Sequence, residues 1–488
     1  MKSKSLKTKA INGFFWSFID NFAVQLSQFI IGVILARILS PNDFGLIGML
    51  TIFITISQWF VSSGFGQALI RKKDCTQNDY STVFIFNILA GFILYIVLFF
   101  TSGYISDFFD EPQLESLLNV LGISLIIIAF TIIQQTQLTK RLDFKLQTRI
   151  SVISSITSGF IGILLAYLGY GVWSLVYKSL LEYFIRSFLL WIYNKWRPSF
   201  IFDINSFKEL FGFGSKLMLR GLIYTIFNNL YYIVIAKYFS TADLGYYTRA
   251  EQFNRMPSSN INKVINRVSY PVLSELKNDD KALKSAYKKI FISLVFISSI
   301  SMLILGAIAE PLILTLIGEK WLPSVPILQL LCFVGLLYPL CDFNLTILKV
   351  KGKSGLILKL EIIKRILSMP VIIIGIMYGI NALLIGMIVL SLFEFLINAY
   401  FSGKEISYTL KEQILNNLPS ISLALVVSTI IYFLTISLDL NNLLILLICL
   451  TLSMILVVLM SEVFKIKAYL NIKNIVMDTL NKRKIQSN

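Results

Sequence analysis

The sequence contains no histidine. That single absence removes Ser-His-Asp chemistry, imidazole metal sites and histidine proton relays. Cysteine is nearly as scarce. Cys75, Cys332, Cys341 and Cys449 form no C-x-x-C and no ligand spacing, so they read as small apolar residues and no metal site is expected. Charge is thin as well, at 15% of the chain, and acid is the scarcer sign, with 27 Asp and Glu against 44 Lys and Arg. No long polar stretch could form a separate soluble domain. No series of alternating ten-residue segments marks an outer-membrane barrel. The opening "MKSKSLKTKAINGFFWSF" lacks a small-residue cleavage site after a short apolar core. The run continues to about Leu39, so it reads as an uncleaved first span rather than a signal peptide.

What fills the 488 residues is apolar sequence, 56% by composition, in recurring runs of roughly twenty. The fold class expected is an all-α polytopic membrane protein. Fourteen spans are expected, near residues 11–39, 43–70, 79–101, 114–138, 148–168, 171–193, 212–239, 243–270, 286–308, 324–348, 355–377, 379–401, 418–436 and 441–463. The net charge of +17 sits in short loops rather than on a continuous face, which argues against a nucleic-acid partner. One set of loops holds the Lys-rich N-terminus, "RKKD" from Arg71, "KRLDFK" from Lys140, "NKWRP" from Asn194, Lys277–Lys289, "KVKGK" from Lys349, Lys404 with Lys411, and the basic tail. The other set, "SPND", "SDFFDEPQLES", "YLGYG", "STAD", "IGEKW", "YGIN" and "SLDLNN", carries almost no Lys or Arg. The alternation holds only if the polar stretch Gly245–Leu273 is itself a crossing. Both termini are then expected to be cytoplasmic.

A second regularity lies in "VILARILSPNDFGLIG" from Val33, which matches "IVIAKYFSTADLGYYT" from Ile233 at a shift of 200 residues. Ser40 pairs with Ser240, Asp43 with Asp243 and Gly45 with Gly245. Ser-x-x-Asp is also a helix cap in its own right, and both meanings are expected to hold. Duplication with an even number of spans per half gives parallel repeats, an architecture of transporters with the pathway between the halves. The expected division is 1–200 and 201–405 as six-helix lobes around a central cavity, 406–464 as two further helices, and 465–488 as a basic cytoplasmic tail.

The candidate site lies on the polar spans. In the eighth, Arg249, Gln252, Met256, Asn260, Lys263 and Arg267 share a face at 100° per residue, while Arg255 points elsewhere near mid-depth. The ladder rises about 27 Å, close to the hydrocarbon thickness. A lipid-facing cation at mid-depth costs roughly 2.5–3.5 kcal/mol, so four cations on one span imply a water-filled cavity or anionic partners. Snorkelling of Arg249 and Arg267 is the competing account, but Asn254, Ser258, Ser259, Asn260, Asn262 and Asn266 favour the cavity. The first span adds Asp20, Asn21, Gln25 and Gln28, and the seventh adds Lys216, Arg220, Asn228 and Asn229. Asp20 and Arg220 are repeat-equivalent, and a pair between them would be either a gate or static packing. Lys178, Glu182 and Arg186 are expected to satisfy one another at i, i+4 and i+8. Asp342 and Glu394 stand unpaired in their own spans as minor candidates for ion coupling. Ser158, Gly162 and Ala166 form a small-residue packing ridge. Cationic lining with no nucleophile points to an anionic amphiphile, since arginine pairs with phosphate oxygens and amides suit sugars. No cofactor is expected.

Several stretches carry a family resemblance: "SGFGQALIRKKDCTQNDYSTVFIFN" from Ser63, "GYGVWSLV" from Gly169, "KWRP" from Lys195, "LGYYTRAEQFNRMP" from Leu244, "YPVLSEL" from Tyr270 and "GEKW" from Gly318. In this order and spacing the chain, over roughly residues 5–405, resembles polysaccharide exporters of the Wzx/WzxC type in the multidrug/oligosaccharidyl-lipid/polysaccharide superfamily. The resemblance implies two lobes forming a V-shaped cavity. It also implies movement of undecaprenyl-pyrophosphate-linked oligosaccharide to the outer leaflet by alternating access, for lipopolysaccharide, capsule or exopolysaccharide synthesis. The partners implied are that lipid-linked glycan, membrane lipids, and a glycan polymerase and glycosyltransferases. It carries over only a cavity-lining role for spans one, two, seven and eight, and span two here is apolar from Phe44 to Ile56. A cation-coupled multidrug antiporter of the same superfamily is the alternative, but it would favour acidic residues in the cavity. A membrane enzyme acting on lipid-linked sugars would need a long outside loop with catalysts, and the longest expected here, Ser102–Gln113, is about a dozen residues.

Overall fold

The structure is a computed structural model that describes residues 23–474 and Met477. Among the described residues the regular elements are all helical: α1 (Ala23–Ile38), α2 (Pro41–Ser62), α3 (Phe65–Arg71), α4 (Gln77–Phe109), α5 (Gln113–Lys140), α6 (Phe144–Tyr167), α7 (Val172–Tyr193), α8 (Ile204–Tyr238), α9 (Thr241–Glu275), α10 (Asp280–Ala307), α11 (Ala309–Leu316), α12 (Ser324–Val350), α13 (Ser354–Tyr378), α14 (Ile380–Glu405), α15 (Leu410–Ser437) and α16 (Asn442–Val463), with one 3-10 turn at Glu319–Trp321. Ten helical segments are long and apolar enough to cross a membrane. The long helices outside that set are α7, α9 and α13, which carry the charges discussed below, and the described part of α1 is shorter. Large apolar side chains such as Phe100, Phe160 and Met454 lie exposed on helices, as lipid contact requires and water would not favour.

Local chemistry sets the helix ends. Ser40 accepts the amide of Asp43, whose carboxylate takes the Ser40 amide in return, and Pro41 occupies the first turn where no donor is missed. Thr76 with Asp79 and Thr409 with Glu412 repeat the device. Ser240 and Asp243 make the same reciprocal bonds at the start of α9, so the motif does cap helices. The expected single span 43–70 is broken. Ser63 and Gly64 turn left-handed at φ 43° and 69°, and separate α3 from α2. Gly64 is required there because a Cβ would lie 2.3 Å from the Gly214 carbonyl oxygen of α8. The acidic loop is shorter than expected, since α4 continues to Phe109 and only Asp110–Pro112 separate it from α5.

Packing divides the chain into Met1–Gly245 and Tyr246–Asn488. In the first unit α4 lies along α5, α6 along α7, and α5 against α7, while α8 rests on α2, α3 and α4. The expected small-residue ridge packs as such: Ser158, Gly162 and Ala166 are buried, and Gly162 admits the Lys178 stem. The second unit repeats the pattern with α10 along α12, α13 along α14, and α12 against α14. Its α15 and α16 join through a core that includes Val427, Ile431 and Cys449 with Ile292 and Phe296 of α10. Residues 467–474 are helical, and Ile466 and Ala468 enter the same core, so the start of the expected basic tail is packed.

The duplicated motif makes a close contact with itself. A Cβ on Gly45 would lie 1.9 Å from the Thr241 carbonyl oxygen, and one on Gly245 would lie 2.0 Å from the Pro41 carbonyl oxygen. These partners, 41 with 241 and 45 with 245, are related by the 200-residue shift of the repeat. A contact in which each copy offers the same surface to the other is the signature of a local two-fold relation. Asp110 and Glu111 flank it. Asp110 pairs with Lys237 at 2.8 Å, and Glu111 accepts the Thr241 hydroxyl.

Candidate functional site

The stretch Gly245–Leu273, polar for a membrane span, lies within one helix, α9, of 35 residues. At 1.5 Å per residue it is about 52 Å long, well over the roughly 30 Å of a bilayer core. Pro257 and Pro271 stand inside it, each removing one amide donor from the helical ladder. Only Phe239–Ser240 join it to α8, and only Leu276–Asp279 join it to α10.

Its polar residues separate onto two faces. Asn254, Ser258, Asn262 and Ser269 are all buried. Asn254 lies where a Cβ on Gly335 of α12 would meet its side-chain oxygen at 2.1 Å. Asn266 donates to Asp342 of α12 at 2.6 Å and to Asn262 at 2.6 Å, and accepts from Thr346 at 3.1 Å. The second Asp342 oxygen lies 3.5 Å from Lys349. This is a hydrogen-bonded seam between α9 and α12. Two expectations change: Asn254, Ser258 and Asn262 are buried and Asn266 is bonded to α12, and Asp342, expected unpaired in its own span, has Asn266 and Lys349 beside it. A buried amide is costly without a partner, and for Asn266 α12 supplies it.

The opposite face carries the cations. Lys263 and Arg267 are exposed, Asn260 is half-buried below them in sequence, and Arg249 is half-buried further toward the start of the helix. Arg255 stands apart, its side chain 70% exposed and 3.6 Å from Glu251 one turn earlier. The structure therefore brings exposed Lys263 and Arg267 together on one strip with half-buried Asn260, and separates Arg255 from it.

The other candidates scatter. Arg220 is exposed on α8, next to Gly221, where α8 presses on the Trp59 ring of α2. Gln25 is half-buried on α1. Gln28 is exposed and donates to Glu182 of α7 at 3.2 Å. Asp20 and Asn21 lie outside the described residues, and with them the Asp20–Arg220 pair. Lys178 and Glu182 do pair, at 3.0 Å, but the further acceptor capacity of Glu182 goes to Gln28 rather than Arg186. Gln58 of α2 donates to Tyr183 at 3.3 Å, extending this polar patch across three helices.

Sequence reading passed over one charged group. In "LKLEIIKRIL" of α13, Lys364 is 5% exposed and pairs with Glu361 at 2.9 Å, with Arg365 at 3.9 Å from the same carboxylate. The signal was present, since Glu, Lys and Arg at i, i+3 and i+4 on an apolar helix form a self-neutralising cluster. Glu394 of α14, half-buried, feels the charges of Lys364, Glu361 and Arg365.

Beyond the span ends, Lys72 binds Asp79 at 3.1 Å and Glu209 of α8 at 2.9 Å. The Glu209 hydrogen bond, followed by that of Asp79, holds the Lys72 ammonium above its usual range.

Comparison with known proteins bears on this arrangement. A solved structure described as the lipid II flippase MurJ in an inward closed conformation superposes with a TM-score of 0.75 at 17% identity, covering 93% of this chain and 98% of that one. An inward-facing multidrug resistance MATE family transporter of the MOP superfamily gives 0.61 at 15% identity, covering 80% and 98%. At these identities the likeness is one of fold. By sequence, the teichuronic acid biosynthesis protein TuaB of Bacillus subtilis is 26% identical over 355 residues, 72% of this chain and 73% of that one. The lipopolysaccharide biosynthesis protein WzxC of Escherichia coli is 26% identical over 383 residues, 76% of each. The family model described as polysaccharide biosynthesis protein matches residues 34–326, more than half of the sequence, and the chain belongs to that family.

Proposed function

We propose that this chain is a transporter, not an enzyme: a flippase that carries polyprenyl-pyrophosphate-linked oligosaccharide from the inner to the outer leaflet of a bacterial cytoplasmic membrane. In this reading fourteen helices cross, both termini are cytoplasmic, and the glycan passes to polymerase and glycosyltransferase partners. The observation that carries it is the division of α9. Asn266 on one face is bonded to α12, whereas Lys263 and Arg267 on the other are exposed, with Asn260 half-buried beside them. Exposed cations on a helix of membrane-crossing length are costly against lipid and favourable against water or phosphate oxygens. The strip therefore serves as the track for the pyrophosphate, and the amides of α1 suit sugar hydroxyls.

Alternating access is supported by the reciprocal contact at Gly45 and Gly245. Each glycine lies against a backbone carbonyl, with the Thr241 side chain beside Gly45, so the closure is small and its opening would part the starts of α2 and α9. The names of the relatives and the MurJ-like fold point the same way.

The test is translocation of a fluorescent polyprenyl-pyrophosphate oligosaccharide in reconstituted vesicles. Lys263→Ala with Arg267→Ala is expected to lower the rate at least tenfold, and Lys263→Arg with Arg267→Lys to restore most of it. Undiminished transport by the double alanine variant overturns the assignment of the strip.

A further inference from the structure

The second packing unit holds a cavity of about 610 Å³ between α10, α12, α14 and α15 that the transport reading does not use. Gln329 of α12, Asn381 of α14, and Thr429 and Tyr432 of α15 are its polar lining besides Ser428. Among the described residues none of these four side chains forms a hydrogen bond within the fold. Ser428, also at the wall, is already bonded to the Leu425 carbonyl at 2.9 Å. No lining residue is charged, and Leu303, Phe333 and Ile385 supply apolar wall. Asn381, Thr429 and Tyr432 are exposed and Gln329 is half-buried, so the cavity opens on the outside of the unit.

Its depth is fixed by the helix ends. Asn381 is the second residue of α14, Gln329 the sixth of α12, and Thr429 stands eight residues before the end of α15. At 1.5 Å per residue all lie within about 12 Å of those ends. All four helices are long and apolar enough to cross a membrane. Helices of 26 to 28 residues, about 40 Å long, overhang a core of about 30 Å by about 5 Å at each end, so these residues run from the headgroup boundary into the outer acyl region, within reach of ester carbonyls. An unmade hydrogen bond from an amide or hydroxyl in contact with lipid is unfavourable, and with no cation on the wall a neutral acceptor suits these four donors better than an anionic one.

We propose that this cavity is a binding site for the ester region of a membrane glycerolipid. Gln329, Asn381, Thr429 and Tyr432 donate to its two ester carbonyls, and one acyl chain lies along Leu303, Phe333 and Ile385. The site recognises the linkage between chain and glycerol and is indifferent to headgroup charge. It is separate from the strip on α9 and does not depend on the transport reading.

Native mass spectrometry of the full-length protein tests this, with diester phosphatidylglycerol, its diether analogue lacking carbonyls, and diacylglycerol as probes. The expected result is one retained lipid, with the diester favoured over the diether about tenfold and diacylglycerol bound like the diester. Gln329→Leu with Asn381→Leu and Thr429→Val is expected to abolish the preference, and Ile385→Trp to displace the lipid by filling the cavity. Equal binding of diester and diether by the unaltered protein overturns the proposal. So does a preference that survives the triple substitution, or displacement of the lipid by the polyprenyl-linked glycan but not by excess diester.

Discussion

The contact between the two copies of the duplicated motif makes Gly45→Ala informative. A methyl group there would meet the Thr241 carbonyl oxygen at 1.9 Å, short of ordinary contact by about 1.5 Å. The obstacle is backbone, with no rotamer to yield, so the starts of α2 and α9 must separate. Overpacking of this kind costs typically 1–3 kcal/mol, and the upper end applies to a rigid neighbour. Alanine also gains roughly 0.8–1 kcal/mol of helix propensity over glycine. The net loss expected is therefore about 2 kcal/mol. Gly212→Ala in α8 is the control: a Cβ there meets nothing within 4 Å, so only the propensity gain remains. Reversible unfolding in mixed micelles, followed by tryptophan fluorescence, measures both. Gly245→Ala should resemble Gly45→Ala, and the two together should cost less than their sum, because one displacement of the helices accommodates both methyl groups. If Gly45→Ala proved as stable as Gly212→Ala, or if the two alanines added independently, the reciprocal contact would not be the tight junction described.

Two further outcomes follow from the polar seams. Asn266→Leu removes the short hydrogen bond to Asp342 and should destabilise by about 1.5–3 kcal/mol, the range for a bond to a charged group. Asp342→Asn in the same background should recover part of that loss in an unfolding cycle, and full additivity would show the two residues to be independent. Glu182→Leu should strand Lys178 and release Gln28, lowering the unfolding midpoint, whereas Lys178→Met with Glu182→Leu should come close to the unaltered protein, since a neutral pair leaves no unpaired charge. A double variant as unstable as the single one would refute that account.

The positions of the helices were legible because they rest on local chemistry. Apolar runs, Ser-x-x-Asp caps and charge-poor connections are read one segment at a time, and each expected span within the described residues falls on one helix except 43–70, which falls on two. The break at Ser63–Gly64 was not legible, because its cause is a carbonyl of α8 about 150 residues away. The cationic ladder on α9 was found by helical periodicity, yet the same periodicity misread the asparagines beside it. In a soluble helix the buried side declares itself by being apolar. In a membrane helix both the lipid side and the packed side are apolar, and polar residues mark either water or a hydrogen-bonded neighbour.

The sequence by itself determined that the chain is a helical membrane protein, that it carries a motif repeated at a shift of 200 residues, that histidine chemistry is absent, and that one polar stretch belongs to a long helix. These follow from composition, period and repeat, which need no neighbours. Only the tertiary structure decided which group meets which: Asn266 with Asp342, Gln28 with Glu182, Asp110 with Lys237, and Gly45 with the Thr241 carbonyl. Partners 76, 154, 127 and about 200 residues apart are joined by packing, and no local rule encodes them.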